Sequence, residues 1–154
     1  MSHARQQVRD ALVTLLNATP SSYRRAYNTR IPPMQQVWPY LLVWTDSETV
    51  TEQTIHPSSL QLRDMNLAIE ARVQLPQRET EVLETRMDTV AAEIETKLKL
   101  STMQTSLAHI TDFVLTDTRM ELAVDQDDVP AYGAITLNYV ISYTTVEGSP
   151  ETLV

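Results

Sequence analysis

Apolar and polar residues alternate strictly from Leu67 to Leu75, which is the pattern of a β-strand with one covered face. The positions between the apolar ones suit solvent or a polar interface; they are Ala68, Glu70, Arg72 and Gln74. Pro76 has no N–H to continue the hydrogen-bond ladder, so we expect the strand to end there and a helix to begin.

The segment after Pro76 predicts an amphipathic helix. Its apolar residues are spaced four, three, four and four positions apart and form one stripe: Leu83, Met87, Val90, Ile94 and Leu98. Acidic residues cluster near its start and lysines near its end, which matches the polarity of the helix dipole. Glu93, next to Ile94, is expected on the solvent side.

Residues 4–17 predict a first helix with its own apolar stripe, and residues 18–39 then contain four prolines and no clear period. This basic segment, residues 18–39, carries side chains that are typical of interface anchors: Arg24, Arg25, Arg30, Tyr23, Tyr27 and Trp38. Two interpretations stay open. The segment is either an intersubunit arm, which we favour, or a loop that lies across its own domain.

Further strands complete a single domain over residues 1–154. We expect a central strand at Tyr40–Thr45, its hairpin partner at Glu48–Ile55, a strand within residues 110–124 and a long alternating strand ending near Thr144. Residues 101–109 are expected to be a connection and residues 147–154 a flexible tail. The order α-β-β-β-α-β-β predicts an α+β fold, with two helices on one face of a mixed, mainly antiparallel sheet of about five strands.

Charge is distributed unevenly along the 154 residues, whose net charge is −8. Residues 1–39 contain five arginines against Asp10 alone, whereas residues 40–154 contain seven basic and nineteen acidic side chains. The acidic total argues against a general nucleic-acid binder. The asymmetry suits a self-assembling subunit whose basic arm meets an acidic neighbour, although exposed charge can equally serve solubility alone.

Composition gives no support to catalysis, a cofactor or a metal centre. Two glycines cannot form a glycine-rich phosphate loop, and the three histidines are far apart in the sequence. The run Asp125–Asp128 resembles the beginning of a calcium loop but lacks its glycine and closing glutamate, so a solvated turn is expected. The N-terminus lacks the apolar core of a signal peptide, and the longest apolar run, Tyr40–Trp44, is too short to span a membrane.

Four passages in this order resemble the tail terminator family of tailed bacteriophages, the minor tail protein U group of lambda-like phages. They are ARQQVRDALVTLL, VWPYLLVWT with its threonine-rich continuation, LAIEARVQLPQRETEVLETRMDTVAAEI and GAITLNYVISYTT, of which YVISY is the most specific part. The basic segment departs from the family pattern because it is longer.

The resemblance implies a structural protein of the virion, assembled in the host cytoplasm and placed at the head-proximal end of the tail. There a homohexameric ring would cap the tail tube, stop its polymerisation and receive the head-completion (neck) protein. DNA would pass through the pore without specific binding, because carboxylates repel phosphates. Candidate pore-facing carboxylates are Glu70, Glu121, Asp125, Asp127 and Asp128.

Two alternatives remain at this stage. One is another phage neck component, a stopper or tail-completion protein. The other, from a different class, is a small bacterial α+β enzyme or ligand-binding domain, which a concave pocket with convergent titratable groups would support.

Overall fold

The computed structural model describes residues 2–52, 59–74, 80–123 and 132–154. The helices are α1 (Ala4–Ala18), α2 (Thr80–Lys97) and α3 (Leu100–Ser106). The strands are β1 (Arg25–Tyr27), β2 (Tyr40–Glu52), β3 (Leu60–Gln74), β4 (Ile110–Ala123), β5 (Tyr132–Val146) and β6 (Ser149–Leu153). Pro76 and the acidic run at residues 125–130 lie outside the described residues.

Within these ranges the strands form one sheet in the order β1-β2-β3-β5-β4, and β6 pairs with β5. The contact between β1 and β2 is parallel, and the other neighbours are antiparallel. β3 and β5 pair without a register shift from Leu60–Val146 to Gln74–Tyr132, which makes them the centre of the sheet. The expected α+β fold with a mixed, mainly antiparallel sheet is confirmed.

The helices of the described part pack on one face of this sheet. α1, α2 and α3 contribute to a single hydrophobic cluster, together with the odd-numbered residues from Met65 to Val73 and from Ile135 to Tyr143. Gly133 allows α2 to come close to β5, because a Cβ at this position would lie 2.6 Å from the sulfur of Met87. The helix stripe predicted from the sequence is buried as expected, and Ile94 has no exposed surface.

The expected hairpin between residues 40–45 and 48–55 is wrong. β2 runs through Tyr40–Glu52 as one strand and pairs with β3 over its whole length. The register shifts between Thr45 and Ser47, so Asp46 is an extra residue that bends the strand. The polar residues after Thr45 therefore belong to one continuous strand, and most of them are exposed.

Three further elements differ from the sequence-based expectations. Residues 100–106 form the short helix α3 instead of a connection, and β1 forms inside the basic segment. The C-terminal residues, expected to be loose, fold back as β6, and the N–H of Val154 donates to the carbonyl of Thr144 at 3.0 Å. The turn before β6 uses Gly148, whose φ of 78° is a conformation that glycine adopts readily.

The first half of the basic segment is attached to its own domain. The side chain of Asn17 forms two hydrogen bonds with the backbone of Ala26, at 2.8 and 3.0 Å. Tyr23 is 3% exposed, and its hydroxyl donates to the carbonyl of Leu16. This part of the segment therefore lies across its own domain, which agrees with the second of the two interpretations of the sequence.

Glu93 on α2 fixes the same part of the segment, so its expected place on the solvent side is wrong. Its carboxylate accepts the backbone N–H groups of Ser21 and Ser22 at 2.9 and 2.7 Å, and Lys97 Nζ at 2.7 Å. Its side chain is 13% exposed. Burial raises the pKa of this carboxyl, but the hydrogen bonds from Lys97 and Ser22 outweigh burial and lower the pKa to about 2. Lys97 also donates to the hydroxyl of Tyr23 at 3.0 Å.

Replacing Ile94 with alanine is expected to lower the free energy of unfolding by about 2–5 kcal/mol, because burial is lost and a cavity forms. Asp88→Ala is the matched control, since Asp88 lies on the exposed side of the same helix. It should change stability by less than about 0.5 kcal/mol. Urea unfolding of the monomer measures both. Equal effects would mean that α2 does not pack on the sheet through this stripe.

Glu93→Gln is expected to destabilise the protein by about 1–3 kcal/mol at neutral pH, because it removes a charge that accepts several hydrogen bonds. A depressed carboxyl pKa stabilises the folded state above the pKa of the unfolded chain, and this contribution is lost as the pH falls toward the folded value of about 2. The difference from wild type should therefore shrink between pH 5 and about pH 2.

Glu84→Gln, an exposed change on the same helix, is the control for the Glu93 experiment. Thermal unfolding monitored by circular dichroism at several pH values gives both comparisons. A Glu93→Gln variant as stable as Glu84→Gln at pH 7 would show that this carboxylate does not anchor the basic segment.

Candidate functional site

The sheet face opposite the helices, called here the open face, carries polar and charged side chains. Along β5 the odd-numbered residues are buried and the even-numbered ones are partly exposed, so the two faces are clearly different. Register places Glu70 of β3, Thr136 of β5 and Arg119 of β4 in one row across the open face. The face that the sequence predicted for solvent or a polar interface is therefore continuous over three strands.

A shallow groove of about 460 Å³ lies on the open face. It is lined by residues of β2, β3, β4 and β5 and by Arg30 of the basic segment. Glu70 and Glu121, two of the carboxylates proposed from the sequence, lie together in this groove. Asp125, Asp127 and Asp128, the other three, lie outside the described residues.

Arginines accompany the groove carboxylates. Glu70 forms an ion pair with Arg72 on its own strand. Arg119, which also lines the groove, has its Nη2 atom 3.6 Å from Oδ2 of Asp117. The groove is open and largely polar, whereas small-molecule sites are enclosed and mostly apolar. Its chemistry suits contact with a charged surface better than enclosure of a substrate.

The second half of the basic segment crosses the open face beside β1 and β2. The Trp38 ring lies 5.0 Å from Tyr40 and 6.3 Å from Tyr132, measured between centroids. The Arg30 guanidinium lies 5.4 Å from the centre of the Trp44 ring. Tyr40 points away from the helices but is completely buried, and the rings of Trp38 and Tyr27 pack against it. The segment therefore supplies the local cover that the helices do not.

The structure separates the six proposed interface residues into three groups. Arg24, Arg25 and Arg30 are exposed, and the Arg25 guanidinium lies 5.2 Å from the ring centre of Tyr27. Tyr27 and Trp38 are half-buried. Tyr23 belongs to the hydrophobic core and holds the segment to its own subunit.

Sequence analysis missed the apolar tip of the basic segment. Ile31 is 76% exposed, Val37 is 53% exposed and Met34 is fully exposed. The signal was present as three apolar residues between prolines and glutamines in IPPMQQV, a run too short to show a period. Three exposed apolar side chains within seven residues make this tip a candidate contact surface.

Strand β4 is a second surface that sequence analysis did not identify. In the described part of the chain it has a pairing partner, β5, on one side only. Val114, Met120 and Leu122 are each 45% exposed. An edge strand with unpaired backbone groups and exposed apolar side chains is prone to pair with another chain.

A buried polar cluster joins β2, β3 and β5 on the helix side. Arg63 pairs with Glu48 at 2.6 Å and donates to the Thr145 hydroxyl at 2.8 Å, while the Tyr143 hydroxyl donates to Glu48. Burial, followed by the hydrogen bond to Glu48, raises the pKa of Tyr143. Because these groups satisfy one another and do not line the groove on the open face, the cluster fixes strand register and presents no reactive group there.

Residues 2–52, 59–74, 80–123 and 132–154 contain no group of three or more histidine, aspartate or glutamate side chains that could hold a metal ion. No helix in them is both long and apolar enough to cross a membrane.

Comparison with known proteins finds similarity among solved structures. No family model matches the chain, and no curated protein matches it. Among solved structures, the chain is similar to a chain of the virion of a native gene transfer agent particle, with a TM-score of 0.52 and 12% sequence identity. The match covers 92% of this chain and 99% of that chain. At this identity the likeness shows that the two chains share a fold over almost their whole length.

Proposed function

We propose that this chain is a structural protein of a phage or phage-like virion. More specifically, it acts as a tail terminator: a homohexameric ring that caps the tail tube, stops tube polymerisation and receives the head-completion protein. The observation that carries the proposal is the fold shared end to end with a chain of a gene transfer agent virion. The order of four tail-terminator-like passages in the sequence supports the finer assignment.

The surfaces of the subunit are consistent with this function. A ring that closes head to tail needs two unlike contact surfaces on each copy. The basic segment and the acidic remainder of the chain provide such unlike surfaces. Carboxylates such as Glu70 and Glu121 would repel DNA phosphates if the open face borders the pore, so DNA would slide past without binding.

The runner-up is a stopper or tail-completion protein of the same neck region, since the likeness to a virion chain supports any of these roles. The two roles predict different particles. Loss of a terminator should give tubes of uncontrolled length, whereas loss of a stopper should give tails of normal length that fail to hold DNA in the head.

We expect particles assembled without this chain to carry tail tubes of variable and excessive length, measured by negative-stain electron microscopy. In complete particles, the chain should form a six-fold layer at the head-proximal end of the tail. Mass spectrometry of purified tails provides the independent check. Absence of the chain from assembled tails would refute the virion assignment, and normal tube length without it would favour the stopper.

Replacing Arg24, Arg25 and Arg30 with glutamate is expected to abolish tube capping while the subunit stays folded. The three guanidiniums are exposed, and the aromatic contacts of Arg25 and Arg30 contribute only about 0.5–1 kcal/mol each. The melting temperature should therefore shift by only a few degrees, and the capping defect should depend on the salt concentration.

Comparison of Arg24→Glu with Lys99→Glu separates position from charge, because both residues are exposed and both changes are equal in charge. Only the arginine change should weaken capping. A triple variant that caps tubes like wild type at low and high salt would show that the basic segment plays no part in assembly.

A further inference from the structure

We propose that the apolar tip of the basic segment, residues 31–37, lies along the β4 edge of the adjacent copy of this chain. The inference rests on the proposed ring and identifies the two surfaces that meet at each subunit boundary. The occupant of the β4 edge is therefore a second copy, contributed through its basic segment.

The donor surface combines positive charge with exposed apolar side chains. Arg24, Arg25 and Arg30 precede or border the tip, and residues 24–37 contain no acidic residue. Ile31, Met34 and Val37 extend into solvent at the tip, although the segment is fixed at its base by Glu93 and Asn17. The segment therefore presents exposed apolar and positively charged side chains on a base that is attached to its own domain.

The acceptor surface has the complementary properties. β4 contains three carboxylates against a single guanidinium: Asp112, Asp117 and Glu121 against Arg119. Its exposed apolar side chains lie on both sides of the sheet, because Met120 pairs with the core residue Ile135 and Val114 pairs with Val140 on the open face. A segment that runs alongside the strand edge can contact both.

These two surfaces hold most of the exposed apolar side chains of the described residues. Ten large apolar side chains are exposed, three on the tip and four on or beside β4, the fourth being Tyr132. The outer face of α2 is also acidic, but its exposed apolar contribution is Val82 alone, at 39%. A contact between two tips would bring arginines against arginines, so the opposite charges favour a contact between the tip of one copy and the β4 edge of the next.

The absence of cysteine from the chain makes a direct test possible, since any disulfide between single-cysteine variants must join two chains. Met34→Cys and a size-tagged Met120→Cys variant are incorporated together into particles and oxidised mildly. The mixed 34–120 dimer should be the main cross-linked product. Val82→Cys replaces Met120→Cys as the control, because it is a similarly exposed apolar site on α2.

A predominance of 34–34 or 34–82 dimers would overturn the inference, as would a closed ring in which position 34 forms no cross-link to position 120. The proposed function would survive either result, because the chain would still be found in the tail. The proposed function itself fails if neither the variants nor the wild-type chain is incorporated into tails. A chain carrying both cysteines should give a ladder of covalent oligomers that ends at the hexamer.

Charge reversal provides the second measurement. The Arg24, Arg25 and Arg30 to glutamate variant should lose the 34–120 cross-link. Adding Asp117→Lys and Glu121→Lys on the same chain should restore it, because each boundary would again bring opposite charges together. Restoration by an Asp88→Lys and Glu84→Lys pair on α2 instead would place the contact on the helix face and overturn the inference.

Discussion

The structure depends on a sheet that helices cover on one face only. Along β5 the odd-numbered side chains are buried against the helices, and the even-numbered side chains face away from them. Because the helices occupy the apolar side, the basic segment covers the ring of Tyr40 from the open face. Polar groups occupy most of the remaining open face. In the described part of the chain the sheet is also open at the β4 edge, where half of the backbone groups of the strand are directed outward.

Elements with a strong local period were predictable from sequence. β3, α2 and β5 have periods of two or 3.6 residues, and burial follows those periods because each element contacts the core along one side. β2 does not show the pattern of one strand in the sequence, because a bulge at Asp46 interrupts its alternation and most residues after the bulge are exposed. α3 spans seven residues, too few to establish a helical period.

Long-range partners account for the other differences. Glu93 has the sequence position of a solvent-facing residue, but its hydrogen-bond partners, Ser21 and Ser22, come from a segment about seventy residues earlier. No local pattern reports such a contact. The candidate surfaces divide in the same way. Positive charge in the basic segment was visible in composition, whereas the exposure of Met34 and of the β4 edge depends on how the elements pack.

The hydrogen bonds that hold the base of the basic segment have an evolutionary consequence. Ser21, Ser22 and Ala26 are held through their backbone N–H groups, and the N–H of Arg24 donates to the carbonyl of Pro39 at 2.7 Å. Every residue except proline carries such a group. Exposed side chains of the segment, such as those of Arg24 and Met34, can therefore diverge between related lineages while the attachment of its base is inherited. Partner choice and folding are thus separable traits in this chain, and selection can change one without eroding the other.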